Sequence, residues 1–234
     1  MKKPNKYWDR AWSLVEGCTP CSPGCDHCWS AAMAARFGKS DDLVSEAGAY
    51  SGRVVFRGDR LHIPYNARKP AVWSIWTDLF HEDVDPDNIA AAFDMMRMAH
   101  DQTFLVLTKR AKRMFEFLDG TALKFPNVWL GVTVCNQAEA DEKIPFLLET
   151  PAEHRFVSVE PMLEPIFLRR HFRHWMAEID WVVCGPETGP GKRPFDPKWA
   201  AQISDECQDA RVQFFYKGVA DIALPRELPW VWVG

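Results

Sequence analysis

No stretch of this 234-residue chain approaches the ~20 consecutive apolar residues of a membrane span. The basic start of "MKKPNKYWDRAW" leads into no apolar run, so no signal peptide is expected. Positive charge is not in surplus either. Lys and Arg number 28 against 32 Asp and Glu, a net charge of −4. That balance argues against broad attraction to nucleic acid while leaving room for a local basic groove. Repeats of solenoid length, low-complexity tracts and linkers able to separate domains are also missing. These absences point to a single cytoplasmic domain with no membrane partner, and hydrophobic residues at 47% are ample for its core. Disulfides are rare in a reducing compartment, so the chain's seven cysteines point toward metal or catalysis.

What is present is a rhythm. Strand patterns at Trp12–Val15, Val72–Trp76, Thr103–Leu107, Val128–Val134, Arg155–Val159, Asp180–Cys184 and Val212–Tyr216 alternate with helical patterns. The helices are expected at Ser30–Phe37, Asp87–Ala99, Ala111–Leu118, Gln137–Leu148, Phe167–Met176 and Pro197–Ala210, several opened by signals such as "DPDN" and "DPKW". This is an α/β pattern of parallel strands with crossover helices, a complete or partial (β/α) barrel, with an open doubly wound sheet as the alternative. Residues 50–66 interrupt it as a β-hairpin insertion turning at Gly58-Asp59. The proline-punctuated tail from about 218 to 234 reads as an irregular extension packed on the barrel. The eleven Trp fill gaps in the plain reading and offer stacking platforms in the sharper one.

In a barrel, function collects at the C-terminal ends of the strands. Those ends carry Gly17-Cys18, Thr77-Asp78, Thr108-Lys109-Arg110, Thr133 with Asn136, Ser158 with Glu160, Gly185-Pro186-Glu187, and Lys217. Capping explains Asp78 and Asn136 individually, but polar groups recurring at one end of successive apolar strands predict a shared pocket. The densest signal is "GCTPCSPGCDHCW". Cys18, Cys21, Cys25 and Cys28 fall within eleven residues. Structural zinc usually takes two CxxC pairs separated by a longer loop, whereas compact runs suit iron–sulfur clusters, and Pro23-Gly24 supply the turn that wraps one. A cluster is favoured over zinc. Cys135, Cys184 and Cys207 lie in apolar patterns and read as core thiols.

The spacing of Cys21, Cys25 and Cys28, C-x3-C-x2-C after the first strand, resembles the signature of the radical SAM superfamily. His27 stands where that signature often has an aromatic residue. A closer resemblance spans nearly the whole chain: "GCTPCSPGCDHCW", "TDLFHEDV", "LTKRAKRM", "WLGVTVCNQ", "SVEPMLEPI" and "CGPETGPGKRPFD" together are similar to the phage-encoded, three-cysteine-motif radical-SAM-like proteins. The resemblance implies a [4Fe–4S] cluster on three Cys with one open iron. S-adenosylmethionine (SAM) would bind that iron and be cleaved to a 5′-deoxyadenosyl radical by an electron from an external donor. Cys25 and Cys28 are ligands on either pattern; the third is Cys21 by superfamily spacing or Cys18 by the closer family, and Cys18 is slightly preferred. The resemblance also implies DNA or a nucleotide as substrate, for instance a hypermodified thymine adduct to be rearranged. A flipped-out base would reach the barrel mouth. A small metabolite or peptide is the other substrate reading. The rival of another class is a non-catalytic zinc- or cluster-binding adaptor.

Within that expectation Thr77 and Asp78 would hold the SAM amino group, although the customary Gly-Gly-Glu is absent. Thr133 and Asn136 would reach its ribose or carboxylate. Glu160 would bind ribose or substrate, against a salt bridge to Arg155 as the plain alternative. Glu187 and Lys109 are the catalytic candidates, with Arg193 as the structural partner that would occupy Glu187 instead. For "KRAKR" a solvated helix start, and for His81 a surface-loop position, are the simpler expectations.

Overall fold

The apolar runs become strands because parallel strands are buried on both faces and need near-continuous hydrophobic sequence. Val128–Thr133, "VWLGVT", is buried at every position, and so is Trp181–Cys184. The computed structural model describes residues 6–37, 42–45, 48–169, 178–218 and 223–230. In chain order the strands are β1 (Arg10–Trp12), β2 (Val15–Glu16), β3 (Val55–Phe56), β4 (Val72–Ile75), β5 (Thr103–Thr108), β6 (Val128–Thr133), β7 (His154–Val159), β8 (Trp181–Cys184) and β9 (Gln213–Tyr216). Seven of them form one sheet in the order β1-β4-β5-β6-β7-β8-β9, every neighbour parallel. The sheet curls into a half-barrel with β1 and β9 as its edges.

The helices are α1 (Trp29–Arg36), α2 (Pro86–Met98), α3 (Ala111–Leu118), α4 (Gln137–Glu149) and α5 (Pro197–Ala210). Asp85 caps α2 by accepting from Asp87 N–H at 2.8 Å, and Asp196 caps α5 by accepting from Lys198 N–H at 2.9 Å. Each is followed by a proline at the first helical position, where the missing donor costs nothing. The helix expected at 167–176 falls mostly on 170–177, outside the described residues.

The small antiparallel sheet differs in its pairing from the expected hairpin. β3 pairs with β2, Val15 opposite Phe56 and Glu16 opposite Val55. The chain at Gly58–Arg60 instead forms a 3₁₀ turn. Glu16 explains the choice. Its carboxylate, 9% exposed, takes Arg57 Nη1 at 3.1 Å and Arg60 Nη1 at 2.7 Å, drawing the insert back onto the strand after β1.

Two apolar clusters divide the sheet. The larger packs the convex face against the helices, with Trp12, Phe80, Phe93, Phe104 and Tyr216 among its buried side chains. The smaller fills the lower concave face with Val72, Leu105, Trp129, Phe156, Trp181 and Phe215. Tyr7 and Trp230 seal that end, Trp230 meeting Trp181 edge-on at 5.0 Å. Residues 225–227 run beside β9: Tyr216 N–H donates to Pro225 O and Glu227 N–H to Phe214 O, which covers the strand edge. The C-terminal half of the concavity stays open.

Candidate functional site

Strand register places the open half's side chains in rows. Thr108 pairs with Val132, and Thr133 with Ser158, so Lys109, Thr133 and Ser158 form one row across β5, β6 and β7. Two residues further on, the same face carries Cys135, Glu160 and Lys217. One cavity is lined by these rows together with Thr77, Asp78, Arg110, Glu187 and all four cysteines of the loop after β2. Cys135 excepted, every one of those groups lines it, whereas Asn136 stands outside. Asn136 is spent as the cap of α4, accepting Glu139 N–H at 2.8 Å, so its expected reach to a ribose or carboxylate is not what its geometry serves. Trp8, Trp29, Tyr50 and Trp76 give the cavity an aromatic lining, Trp8 reaching it from the lower apolar cluster. Trp29 meets Trp76 edge-on at 5.0 Å and is 48% exposed.

The cysteine loop is held from two sides. On one, Arg110 donates to Thr19 O at 3.1 Å and contacts Cys18 Sγ at 3.9 Å, while Thr19 N–H donates to His81 Nε2 at 3.1 Å. Both expectations of solvated side chains here are therefore corrected: Arg110 is 8% and His81 2% exposed, because each reaches under the loop. On the other side Arg193 donates to Pro23 O at 2.9 Å and to Asp26 Oδ2 at 3.1 Å, and His27 Nδ1 lies 2.9 Å from Glu187 Oε2. Cys135 closes the floor. Its Sγ is 3.7 Å from Ser22 Oγ, and a Cβ on Gly24 would come within 2.4 Å of it, so only glycine lets the loop lie down on this thiol.

Charge follows from these contacts. A hydrogen bond from Cys21 draws the Cys25 thiol well below its ordinary pKa, assisted by Lys109, while Cys21 is pushed up in return. Burial lifts Cys18 to about 11 despite Arg110. Burial works against the Lys109 ammonium, yet Cys25, Cys135 and Cys28 hold its pKa above the usual lysine value. Among the described residues no three Cys, His, Asp or Glu side chains converge as ligands of a single ion would. A cluster that takes each thiolate on a different iron does not require that convergence.

The remaining candidates have partners. Thr77 Oγ1 donates to Val15 O at 2.7 Å, and Asp78 pairs with Arg110 at 3.0 Å. Glu160 pairs with Lys217 at 2.9 Å rather than with Arg155, and accepts from Tyr7 Oη at 3.0 Å and Ser158 Oγ at 3.2 Å. Sequence reasoning misses Tyr7, since it precedes the first strand and carries no motif. Glu187 is 5% exposed and accepts from Arg193 N–H at 2.7 Å and Nη2 at 2.5 Å.

Glu187 therefore acts as a clamp. Burial opposes its charge, but the bonds from Arg193 and His27 lower its pKa from 4.5 to about 2. A depressed carboxylate stabilises above its unfolded pKa and loses that contribution as pH falls through the folded one. Glu187→Gln is expected to cost about 2 kcal/mol near neutrality and to flatten the acid limb of Tm between pH 4.5 and 2. A variant whose acid limb parallels the wild type would remove this role.

Neither a curated protein nor a solved structure matches the chain. A family model matches residues 4–224, and the chain belongs to that family, described as "Protein of unknown function (DUF5131)".

Proposed function

We propose that this chain is a radical SAM enzyme. The observation that carries the reading is the convergence of four thiols of one loop on a cavity at the C-terminal ends of parallel strands, with Lys109 and Arg110 beside them. The donor set fits a [4Fe–4S] cluster. Several thiolates share the compact loop, cationic side chains offset their charge, and both flanks of the loop are pinned. When bound, cluster and SAM supply one-electron cleavage chemistry driven by an external donor.

The chain's own residues bind, orient and exclude water. Cys18, Cys25 and Cys28 would hold the cluster. Thr133 lines the floor and would offer its hydroxyl to SAM, and Glu160, itself held by Tyr7, Ser158 and Lys217, would offer an acceptor on the far wall. The apolar plug of Trp129, Trp181 and Trp230 keeps water from entering from below. The substrate we propose is a nucleic-acid base or modified nucleotide in the host cytoplasm. The half-exposed Trp29 and its neighbour Trp76 on the cavity wall support it, since such faces stack on any base. No helix among the described residues is long and apolar enough to cross a membrane.

The test is anaerobic reconstitution followed by iron and sulfide analysis and incubation with SAM and dithionite. About four irons per chain and slow release of 5′-deoxyadenosine are expected. Stoichiometric zinc without iron would make the protein an adaptor module instead. Loaded protein that binds no SAM would end the radical reading.

A further inference from the structure

The cavity's cations are not alike. Arg110 is neutralised by Asp78 at 3.0 Å and by Glu82 at 2.6 Å, and Lys217 by Glu160 at 2.9 Å. Lys109 lines the same cavity, yet among the described residues no carboxylate stands within ion-pair distance of its ammonium. The nearest acid in sequence order along the strand ends, Asp78, is already committed to Arg110, to Thr108 Oγ1 and to two backbone N–H groups. A half-buried ammonium with no carboxylate beside it calls for another anion that is part of the working site, and the four loop thiols line the same cavity. The register places it at the level of Thr133 and Ser158, facing the thiols of the loop above.

We propose that Lys109 is the counter-ion of the thiolate-held cluster and sets its reduction potential. This rests on the reading of the site as a cluster site. When the oxidised cluster accepts one electron from an external donor, no bond is made or broken and the centre gains one negative charge. A fixed ammonium nearby stabilises that added charge, and in a low-dielectric, partly closed cavity the effect is large. Lys109 acts through the cluster rather than on the substrate, which makes it a positioning residue in the electrostatic sense.

The test is a dithionite titration of the full reconstituted chain, monitored by electron paramagnetic resonance, comparing wild type with Lys109→Met and Lys109→Arg. At a fixed potential the ratio of reduced to oxidised cluster should fall about tenfold in Lys109→Met, a shift of about 59 mV for a one-electron couple. Lys109→Arg should stay within about twofold of wild type, because it keeps the charge. Failure of Lys109→Met to load iron while Lys109→Arg loads normally would also support a charge requirement. A loaded Lys109→Met with an unmoved midpoint overturns the proposal and leaves the function standing; the ammonium would then serve a ligand's oxyanion. Loss of the cluster from both variants makes Lys109 a structural group and overturns it too. A wild-type chain that takes up no cluster overturns the functional reading, and this inference with it.

Discussion

Cys25→Ala and Cys28→Ala are each expected to abolish iron loading, from about four irons per chain to near zero after anaerobic reconstitution. Both thiols line the cavity, and both cysteine spacings require them. The sharper outcome concerns Cys18 and Cys21. Cys21 is exposed and lies in hydrogen-bond contact with Cys25. Thiolates that serve different irons must stand apart, so two sulfurs in contact cannot both ligate unless the loop opens. Cys18 is half-buried, lies two residues past the end of β2, and has its sulfur beside Arg110 Nη1 at 3.9 Å. A preorganised donor loses less entropy on binding. Cys18→Ala should therefore behave like Cys25→Ala, and Cys21→Ala should keep most of its iron. If Cys21→Ala empties the site and Cys18→Ala does not, the superfamily spacing has chosen the ligand. If all four variants lose metal and the wild type holds zinc, the site is a closed tetrathiolate with no place for SAM, and the enzymatic reading falls.

The sheet could be read from the sequence because each of its strands after the first is an apolar run buried on both faces, an unambiguous pattern. Helices Ala111–Leu118 and Pro197–Ala210 match their expected bounds to the residue, one bounded by a charged run and the other opened by Asp196-Pro197. The first strand was harder. "WSLV" reads as one short strand, yet it divides into β1 and β2, and Glu16 after it faces the arginines of the insert. The cavity lining was legible through one rule, that polar residues recur where parallel strands end. What each lining residue does was not legible, because ion pairing is a long-range matter. Asp78 meets Arg110 across 32 positions, His27 meets Glu187 across 160, and Tyr7 meets Glu160 across 153. Nothing local in "KKPNKYW" marks Tyr7. Cys135 is buried, as its apolar pattern implies, and meets the cysteine loop from below through Ser22 and Gly24.

Asp78→Ala is expected to lower stability by about 3–5 kcal/mol, the usual cost of breaking a buried ion pair by removing one partner. For a domain of this length that is a fall in Tm of roughly 10 °C. The carboxylate is 7% exposed and takes four donors. Oδ1 accepts from Phe80 N–H at 3.0 Å and Thr108 Oγ1 at 2.7 Å, and Oδ2 from Lys109 N–H at 3.2 Å and Arg110 Nη1 at 3.0 Å. Deleting it leaves two backbone donors and part of a guanidinium unsatisfied in a site that water reaches poorly. The loss also travels. Arg110 is the group that grips Thr19 O beside Cys18, so a displaced guanidinium loosens one flank of the cysteine loop, and iron retention should fall together with Tm. This differs in kind from a role as ligand of the SAM amino group, which would weaken SAM binding and leave Tm alone. The double variant Asp78→Ala, Arg110→Met separates the two further. If the pair is structural, removing both partners should cost clearly less than the sum of the single losses, with a coupling of at least about 1 kcal/mol. An Asp78→Ala protein that melts within about 2 °C of wild type while SAM affinity falls would return Asp78 to the ligand set and discard the structural account.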